Sequence, residues 1–252
     1  MQNDFGYGEK MIRLLNYILY LLIAVVVLPI ILFFALFIFL YDRHNPFYVS
    51  VRIGKNGKPF KMVKLRSMCV DSWKYKIDST ANNDPRITPI GKIVRKFKID
   101  ELTQIINVLK GNMNIVGPRP QVETEVNHYT SVERAILKVK PGITDIASIV
   151  FSDEGDILNG AKDPDLLYAQ IERPWKSRLA LLYIENVSVW LDLRLMFYTV
   201  TNMFAKKWTL DKLSKIVRQW KYDAEDLPEI VARRKSLYAY PVPGADKVIE
   251  AL

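Results

Sequence analysis

The sequence predicts an α+β protein with an N-terminal helix embedded in a membrane and a mainly helical body that carries a small β-hairpin. Three observations lead there. Residues 18–40 form a run of 23 without a charge, in which Pro29 alone is not apolar. Asn56-Gly57, a strong turn signal, separates two stretches of strand character. From Pro89 onward, apolar residues recur mostly at helical spacing. Half of the 252 residues are hydrophobic, but outside the run the share falls to about 45 %, an ordinary globular value. A quarter are charged, which excludes a disordered chain and a polytopic membrane protein.

The apolar run comes first in the chain. At about 1.5 Å per residue it reaches roughly 35 Å, enough to cross a bilayer. It exceeds the core of a cleavable signal peptide, and Tyr41-Asp42-Arg43-His44 follows it in place of a small-residue cleavage site. Two forms fit: a spanning helix kinked at Pro29, or a helix that bends there and returns to the leaflet it entered. Lys10 and Arg13 precede the run, and Arg43, Arg52, Lys55 and Lys58 follow it. Basic flanks of this kind put the body on the cytoplasmic side in either form. The chain divides into a membrane-associated segment (1–46), a cytoplasmic catalytic domain (47–210) and a basic C-terminal extension (211–252).

Within the body, Phe47–Ile53 and Phe60–Met68 are the expected strands, and Lys61, Lys64 and Arg66 mark a solvated strand face. Ser79–Pro89 is a loop, followed by a helix to about Phe97. Asp100 is the expected N-cap of the next helix, whose Leu102, Ile105, Ile106 and Leu109 are spaced for burial and which Gly111 stops. Gly117-Pro118-Arg119-Pro120 is a rigid turn with an arginine at its centre, and Pro141-Gly142 is another turn. Helical pattern resumes at Ala161–Pro164 and is interrupted at Pro174. Val189, Leu193, Met196, Phe197, Val200 and Phe204 form a stripe expected to pack in the core, the alternative being a face laid on the membrane surface. Beyond Lys212 the chain turns polar and reads as a loosely packed extension.

Net charge is +9, which favours anionic partners such as lipid headgroups, phosphates or nucleic acid. One cysteine, Cys69, and two histidines, His44 and His128, argue against a disulfide, a cysteine-rich zinc site, a multi-histidine metal centre and a Ser-His-Asp triad. Chemistry therefore falls to carboxylates, Lys and Arg. Asp100-Glu101 at a helix start is the most informative pair. Free N–H groups there favour an ionised carboxylate, so one acid can attack phosphorus while its neighbour holds a hard divalent cation. The plainer alternative is helix capping alone. Nearby Lys64, Arg66, Arg95, Lys96, Lys98 and Arg119 are the cations that phosphoryl transfer needs. No P-loop and no G-x-G-x-x-G is present, and the basic residues lack the interleaved aromatics of a nucleic-acid platform.

An ordered series of motifs joins these pieces: Arg66-Ser-Met68, Asn83-Asp-Pro-Arg-Ile-Thr-Pro-Ile-Gly91-Lys92, Arg95-Lys96, Asp100-Glu-Leu-Thr-Gln through Gly111, Val116-Gly-Pro-Arg-Pro120 and Lys140-Pro-Gly-Ile-Thr144. The series resembles the bacterial sugar transferases, the monotopic phosphoglycosyl transferases that begin glycan assembly on polyprenyl phosphate. The resemblance implies a magnesium-dependent reaction in two steps. Asp100 would attack the sugar-bearing phosphate of a UDP-sugar, and polyprenyl phosphate would then take the sugar phosphate from the aspartate. It further implies Glu101 as the magnesium ligand and catalytic partner, with Lys64, Arg66, Arg95 and Arg119 as substrate-binding groups. Asp192, in Trp190-Leu-Asp-Leu-Arg194, matches a late acidic position of the family; its plainer reading is a surface pair with Arg194. The implied partners are a UDP-sugar, a polyprenyl phosphate, membrane lipids and a second copy of the chain, with no nucleic acid. The implied place is the bacterial inner membrane, with a re-entrant helix and the catalytic domain facing the cytoplasm.

Three departures stand out. Thr103 replaces the proline usual after Asp-Glu-Leu, Leu28 precedes Pro29 where Ser is frequent, and Asp145-Ile-Ala-Ser148 replaces Gly-Leu-Ala-Gln. Two rival readings of the chain are a non-catalytic membrane scaffold of a glycan pathway and a membrane-tethered nucleic-acid binder.

Overall fold

A computed structural model describes residues 4–72 and 84–250, with side chains from residue 17 onward. Asn82 and Asn83 of the expected loop, and the side chains of Lys10 and Arg13, lie outside the described residues. Helix α1 (Asp4–Asp42) carries the apolar run and continues through Pro29. Residues 17–42 are long and apolar enough to cross a membrane. Ile31, Ala35 and Ile38, spaced along one face, are buried against Met62, Leu65, Val94, Ile105, Val108 and Met113. Tyr20, Ile23, Ala24 and Val27 extend the same contact before Pro29. The opposite face, with Leu22, Val25, Val26, Leu32 and Phe33, is exposed, an arrangement unsuited to water.

Strand β1 (Phe47–Ile53) pairs antiparallel with β2 (Pro59–Leu65), with Phe47 opposite Leu65. Asn56 and Gly57 both take positive φ, as the turn signal predicts, but the connection spans 54–58 and is longer than a two-residue turn. After Leu65 the second expected strand stops, and Met68 makes only an isolated bridge with Ile87. Helix α2 (Pro89–Lys96) starts under a Thr88 side-chain cap on the Gly91 N–H. Gly91 is required there, because a Cβ would stand 1.9 Å from the Ser67 carbonyl oxygen. A 3₁₀ turn (Ile99–Gln104) leads into α3 (Ile105–Leu109). Strand β3 (Asn114–Val116), then α4 (Glu123–Asn127), precede β4 (Gly142–Thr144), which pairs parallel with β3. That pair is absent from the sequence reading, since three-residue strands carry no alternation to detect.

The larger core is helical. Helices α5 (Ile146–Val150), α6 (Glu154–Ile157), α7 (Pro164–Ile171) and α8 (Arg173–Glu185) follow, Pro174 lying in the first turn of α8, where a missing N–H costs nothing. Helix α9 (Val189–Thr201), α10 (Lys206–Val217) and α11 (Leu227–Val231) complete the body. Trp175, Leu179, Leu195, Leu213 and Ile230 meet at the centre.

Two expectations are corrected here. Of the expected α9 stripe only Met196 packs against the core: Leu191 and Leu195 take that role, while Val189 (74 % exposed), Leu193, Phe197, Val200 and Phe204 (83 %) face outward. The helix is apolar on more than one face, so spacing alone could not decide which face is buried. The expected extension from 211 onward is not loosely packed through residue 250 either. Helix α10 runs across the expected boundary at 210, and Leu213, Val217, Leu227 and Val231 belong to the central core. Tyr240 stacks on Trp175 at 4.8 Å, the Arg178 guanidinium donates to the Pro241 carbonyl at 2.7 Å, and Thr130 Oγ1 donates to the Pro243 carbonyl at 2.5 Å.

Candidate active site

Asp100 and Glu101 stand in the first turn of the 3₁₀ segment, and the turn is placed by its neighbours. Lys98 enters it in the left-handed region (φ 52°, ψ 28°). The free edge of β2 is satisfied by side chains rather than by a third strand. Asn107 Nδ2 donates to the Lys61 carbonyl at 2.7 Å and its Oδ1 accepts from the Val63 N–H at 3.2 Å. The Thr103 hydroxyl bridges the Val63 carbonyl (2.8 Å) and the Asp100 carbonyl (3.0 Å). Thr103, the residue that departs from the family's proline, thus ties the Asp100 turn to the strand that carries Lys64. The expectation of Asp100 as N-cap is corrected: Lys98 holds the cap position and no side chain caps this turn.

Glu101 Oε1 accepts from Arg119 Nη2 at 2.6 Å and from Lys64 Nζ at 3.3 Å. Arg119 arrives from the turn after β3. There the backbones of Gly117 and Gly142 approach so closely that a Cβ on Gly142 would fall 2.1 Å from the Gly117 nitrogen. The Arg119 N–H donates to Asp145 Oδ2 at 3.3 Å, and Asp145 and Ser148 form a reciprocal capping box at the start of α5. The third departure from the family pattern is therefore a helix cap that also steadies the Arg119 turn. Among the described residues, Glu101 Oε2 and the whole Asp100 carboxylate have no hydrogen-bond partner.

These groups open into a cavity of about 620 Å³, whose lining also includes Lys92, Arg95, Lys96 and Lys98. The Arg95 guanidinium has no ion-pair or hydrogen-bond partner among the described residues, so its charge is available to a ligand. Lys92 was not singled out from the sequence, although it lies inside the motifs quoted above; its place in the lining, beside the expected Lys96 and Lys98, shows only in three dimensions.

Two other expected contacts do not reach the cavity lining. Arg66 is held by Asp42 through Nη1 (2.5 Å) and Nη2 (2.6 Å), and its Nε donates to the Asn45 carbonyl, so it fastens β2 to the end of α1. Asp192 accepts from Tyr183 Oη at 2.8 Å and does not pair with Arg194, which lies over the Trp190 ring.

Burial pushes the Asp100 carboxyl above its usual range, and the Glu101 charge beside it adds to this against the nearby cations. For Glu101 the balance is reversed: burial opposes ionisation, but Arg119 and Lys64 outweigh it and hold the carboxyl well below its usual range. The Glu101 charge in turn raises the Arg119 guanidinium, while burial lowers Lys64 and Lys98. The site therefore holds one firmly ionised carboxylate beside a second that titrates late.

No group of three or more His, Cys, Asp or Glu side chains capable of holding a metal occurs among the described residues. The donors that are present suit a different arrangement. Glu101 Oε2 and the Asp100 oxygens are hard, anionic and unpartnered, the one or two carboxylates through which Mg²⁺ is usually held while phosphate and water fill its other positions.

The bacterial sugar transferase family model matches residues 7–206, and so takes in α1, the carboxylate turn and the Arg119 turn. The chain belongs to the bacterial sugar transferase family. Among its relatives, a UDP-glucose:undecaprenyl-phosphate glucose-1-phosphate transferase of Klebsiella pneumoniae is 36 % identical over 77 % of this chain and 40 % of its own length. A UDP-N-acetylgalactosamine-undecaprenyl-phosphate N-acetylgalactosaminephosphotransferase of Aeromonas hydrophila is 34 % identical over 68 % of this chain and 38 % of its own. A putative undecaprenyl-phosphate N-acetylgalactosaminyl 1-phosphate transferase of Bacillus subtilis is 46 % identical over 38 % of this chain and 54 % of its own. This sugar transferase chain thus spans about one third to just over one half of the length of the curated relatives it matches.

Proposed function

We propose that the chain transfers a sugar 1-phosphate from a UDP-sugar to a polyprenyl phosphate in the membrane, through a covalent intermediate on Asp100. An Asp100 oxygen forms a bond to the sugar-bearing phosphorus, and the bond from that phosphorus to UMP breaks. An oxygen of polyprenyl phosphate then attacks the same phosphorus, the bond to Asp100 breaks, and polyprenyl-diphosphate-sugar leaves with the carboxylate restored. The observation that carries this reading is an Asp100 carboxylate without a hydrogen bond, opening into a cation-lined cavity beside a Glu101 clamped by Lys64 and Arg119.

The chain's own groups have distinct parts in this scheme. Arg95 and Lys92 are free to take the diphosphate, and Arg119 and Lys64 keep Glu101 charged and fixed. Glu101 Oε2 and Asp100 would hold Mg²⁺, which when bound supplies positive charge to the phosphate oxygens. Burial raises the affinity of Asp100 for a proton, so the approach of cationic charge with the substrate favours its nucleophilic form.

The lipid acceptor places the reaction at a membrane surface. Contact of one α1 face with the body on both sides of Pro29 supports a helix that dips into one leaflet and returns, with the body on the cytoplasmic face of the inner membrane. The outward apolar face of α9 supports an interfacial position for the body as a whole. The product would start an exopolysaccharide, capsule, O-antigen or glycoprotein glycan, and two copies of the chain would associate in the membrane. UMP release from UDP-sugars with undecaprenyl phosphate and magnesium tests the proposal. It predicts release by the wild type and none by Asp100→Asn, and a well-folded wild type that yields no UMP from any UDP-sugar contradicts it.

A further inference from the structure

The relatives are named for different sugars, glucose in one and N-acetylgalactosamine in another. The lining of the cavity also includes a cluster that the proposed reaction leaves unused: Glu125 on α4, Tyr129 just after it and Tyr168 on α7. Neither tyrosine hydroxyl has a hydrogen-bond partner among the described residues, and Glu125 meets only Arg173 Nε, at 3.8 Å. Buried or half-buried polar groups are ordinarily satisfied, so three unfilled groups on one cavity wall mark a place for a ligand that brings hydroxyls.

The wall is stiff. The Arg173 guanidinium lies 5.6 Å from the centre of the Tyr129 ring and is itself tied to Glu133 at 2.9 Å. The Lys176 ammonium lies 4.6 Å from the Tyr168 ring centre, and its charge is met by Glu154 at 2.7 Å and Glu172 at 2.8 Å. Around these three groups the carboxylates Glu125, Glu133, Glu154 and Glu172 outnumber the cations Arg173 and Lys176, a setting that suits a neutral ring bearing hydroxyls better than a diphosphate.

Resting on the reaction proposed above, we propose that Glu125, Tyr129 and Tyr168 form the subsite that holds the sugar ring of the donor and distinguishes one sugar from another. The sugar, not the nucleoside, belongs there because the sugar phosphate stays on Asp100 while UMP departs. The hydroxyl pattern of a hexose differs from that of its epimer by one position. A site that pairs each hydroxyl rejects the wrong epimer because a polar group is left unfilled.

The test uses the full chain in vesicles holding undecaprenyl phosphate, with magnesium. UMP release is compared for UDP-glucose, UDP-galactose, UDP-N-acetylglucosamine and UDP-N-acetylgalactosamine. Glu125→Gln, Tyr129→Phe and Tyr168→Phe each keep the size of the side chain, so the fold is preserved. The expected result is a fall of about tenfold in kcat/KM for the best donor. Its lead over the 4-epimer should narrow by a similar factor, while inhibition by UMP stays within about twofold. Unchanged kinetics would overturn the inference. So would an equal loss over all four donors, with or without weaker inhibition by UMP, since the wall would then read the ribose or only support the fold. A wild type that releases no UMP from any donor refutes the underlying reaction, a result distinct from lost selectivity.

Discussion

Two glutamates in this molecule are each gripped by an arginine, and the grips differ. Glu133 is fully buried and accepts from Arg173 Nη2 (2.9 Å) and Nε (3.3 Å), Ser177 Oγ (2.6 Å) and the Thr130 N–H (3.0 Å), so both of its oxygens are engaged. Glu101 takes Arg119 and Lys64 on one oxygen and leaves the other open, next to an Asp100 that accepts nothing. The first ion pair is complete without a ligand and behaves as framework. The second is incomplete, and in the proposed reaction it takes up a cation and a phosphate. Saturation, more than charge or burial, separates the two.

The largest effect that would break this comparison is expected at Asp100. Asp100→Asn should cut UMP release by about 10³-fold or more, the scale of losing a nucleophile. Its effect on stability should have the opposite sign. A carboxyl whose folded pKa is raised lends stability below its unfolded value, and that stability is lost as pH rises through the folded value. At pH 7 the neutral Asn should therefore melt no lower than the wild type in a thermal scan. Arg173→Met should do the reverse, leaving the Glu133 charge buried alone and lowering stability by about 3–5 kcal/mol in a denaturant titration.

A smaller effect is expected at Thr103. Thr103→Val removes the hydroxyl between β2 and the Asp100 turn and should cost about 1 kcal/mol with a several-fold fall in kcat, while Thr103→Ser should restore both. The smallest effect belongs to Glu172. Burial raises it to about 7, so stability should decline as pH rises from about 4.5 through about 7. Glu172→Gln should flatten that decline, by on the order of 1 kcal/mol in melting curves taken across the range.

Composition and motif order were enough to read α1, the hairpin and the Asp100-Glu101 turn, because each rests on local signals: an unbroken apolar run, a turn dipeptide, adjacent acids at a helix start. What could not be read were pairings between distant residues. Arg66 and Arg119 look alike in sequence, yet one meets Asp42 and the other Glu101. Asp192 lies on a helix whose neighbours are decided by packing, and it meets Tyr183 outside the cavity lining. The α9 stripe had the right period and the wrong direction, since an apolar face turned toward lipid has the same spacing as one turned toward a core. The polar composition past Lys212 concealed a few large side chains, Tyr238, Tyr240 and Leu227 among them, that close the core around Trp175.

The central claim is that the open carboxylate is the nucleophile, and a single-turnover experiment tests it most directly. Full-length chain in vesicles free of polyprenyl phosphate is mixed with a UDP-sugar and magnesium, quenched, and analysed by intact mass and peptide mapping. The account predicts one sugar phosphate added to the peptide carrying Asp100, in step with release of one UMP. UMP that appears only after polyprenyl phosphate is supplied, with no adduct on Asp100, would contradict it.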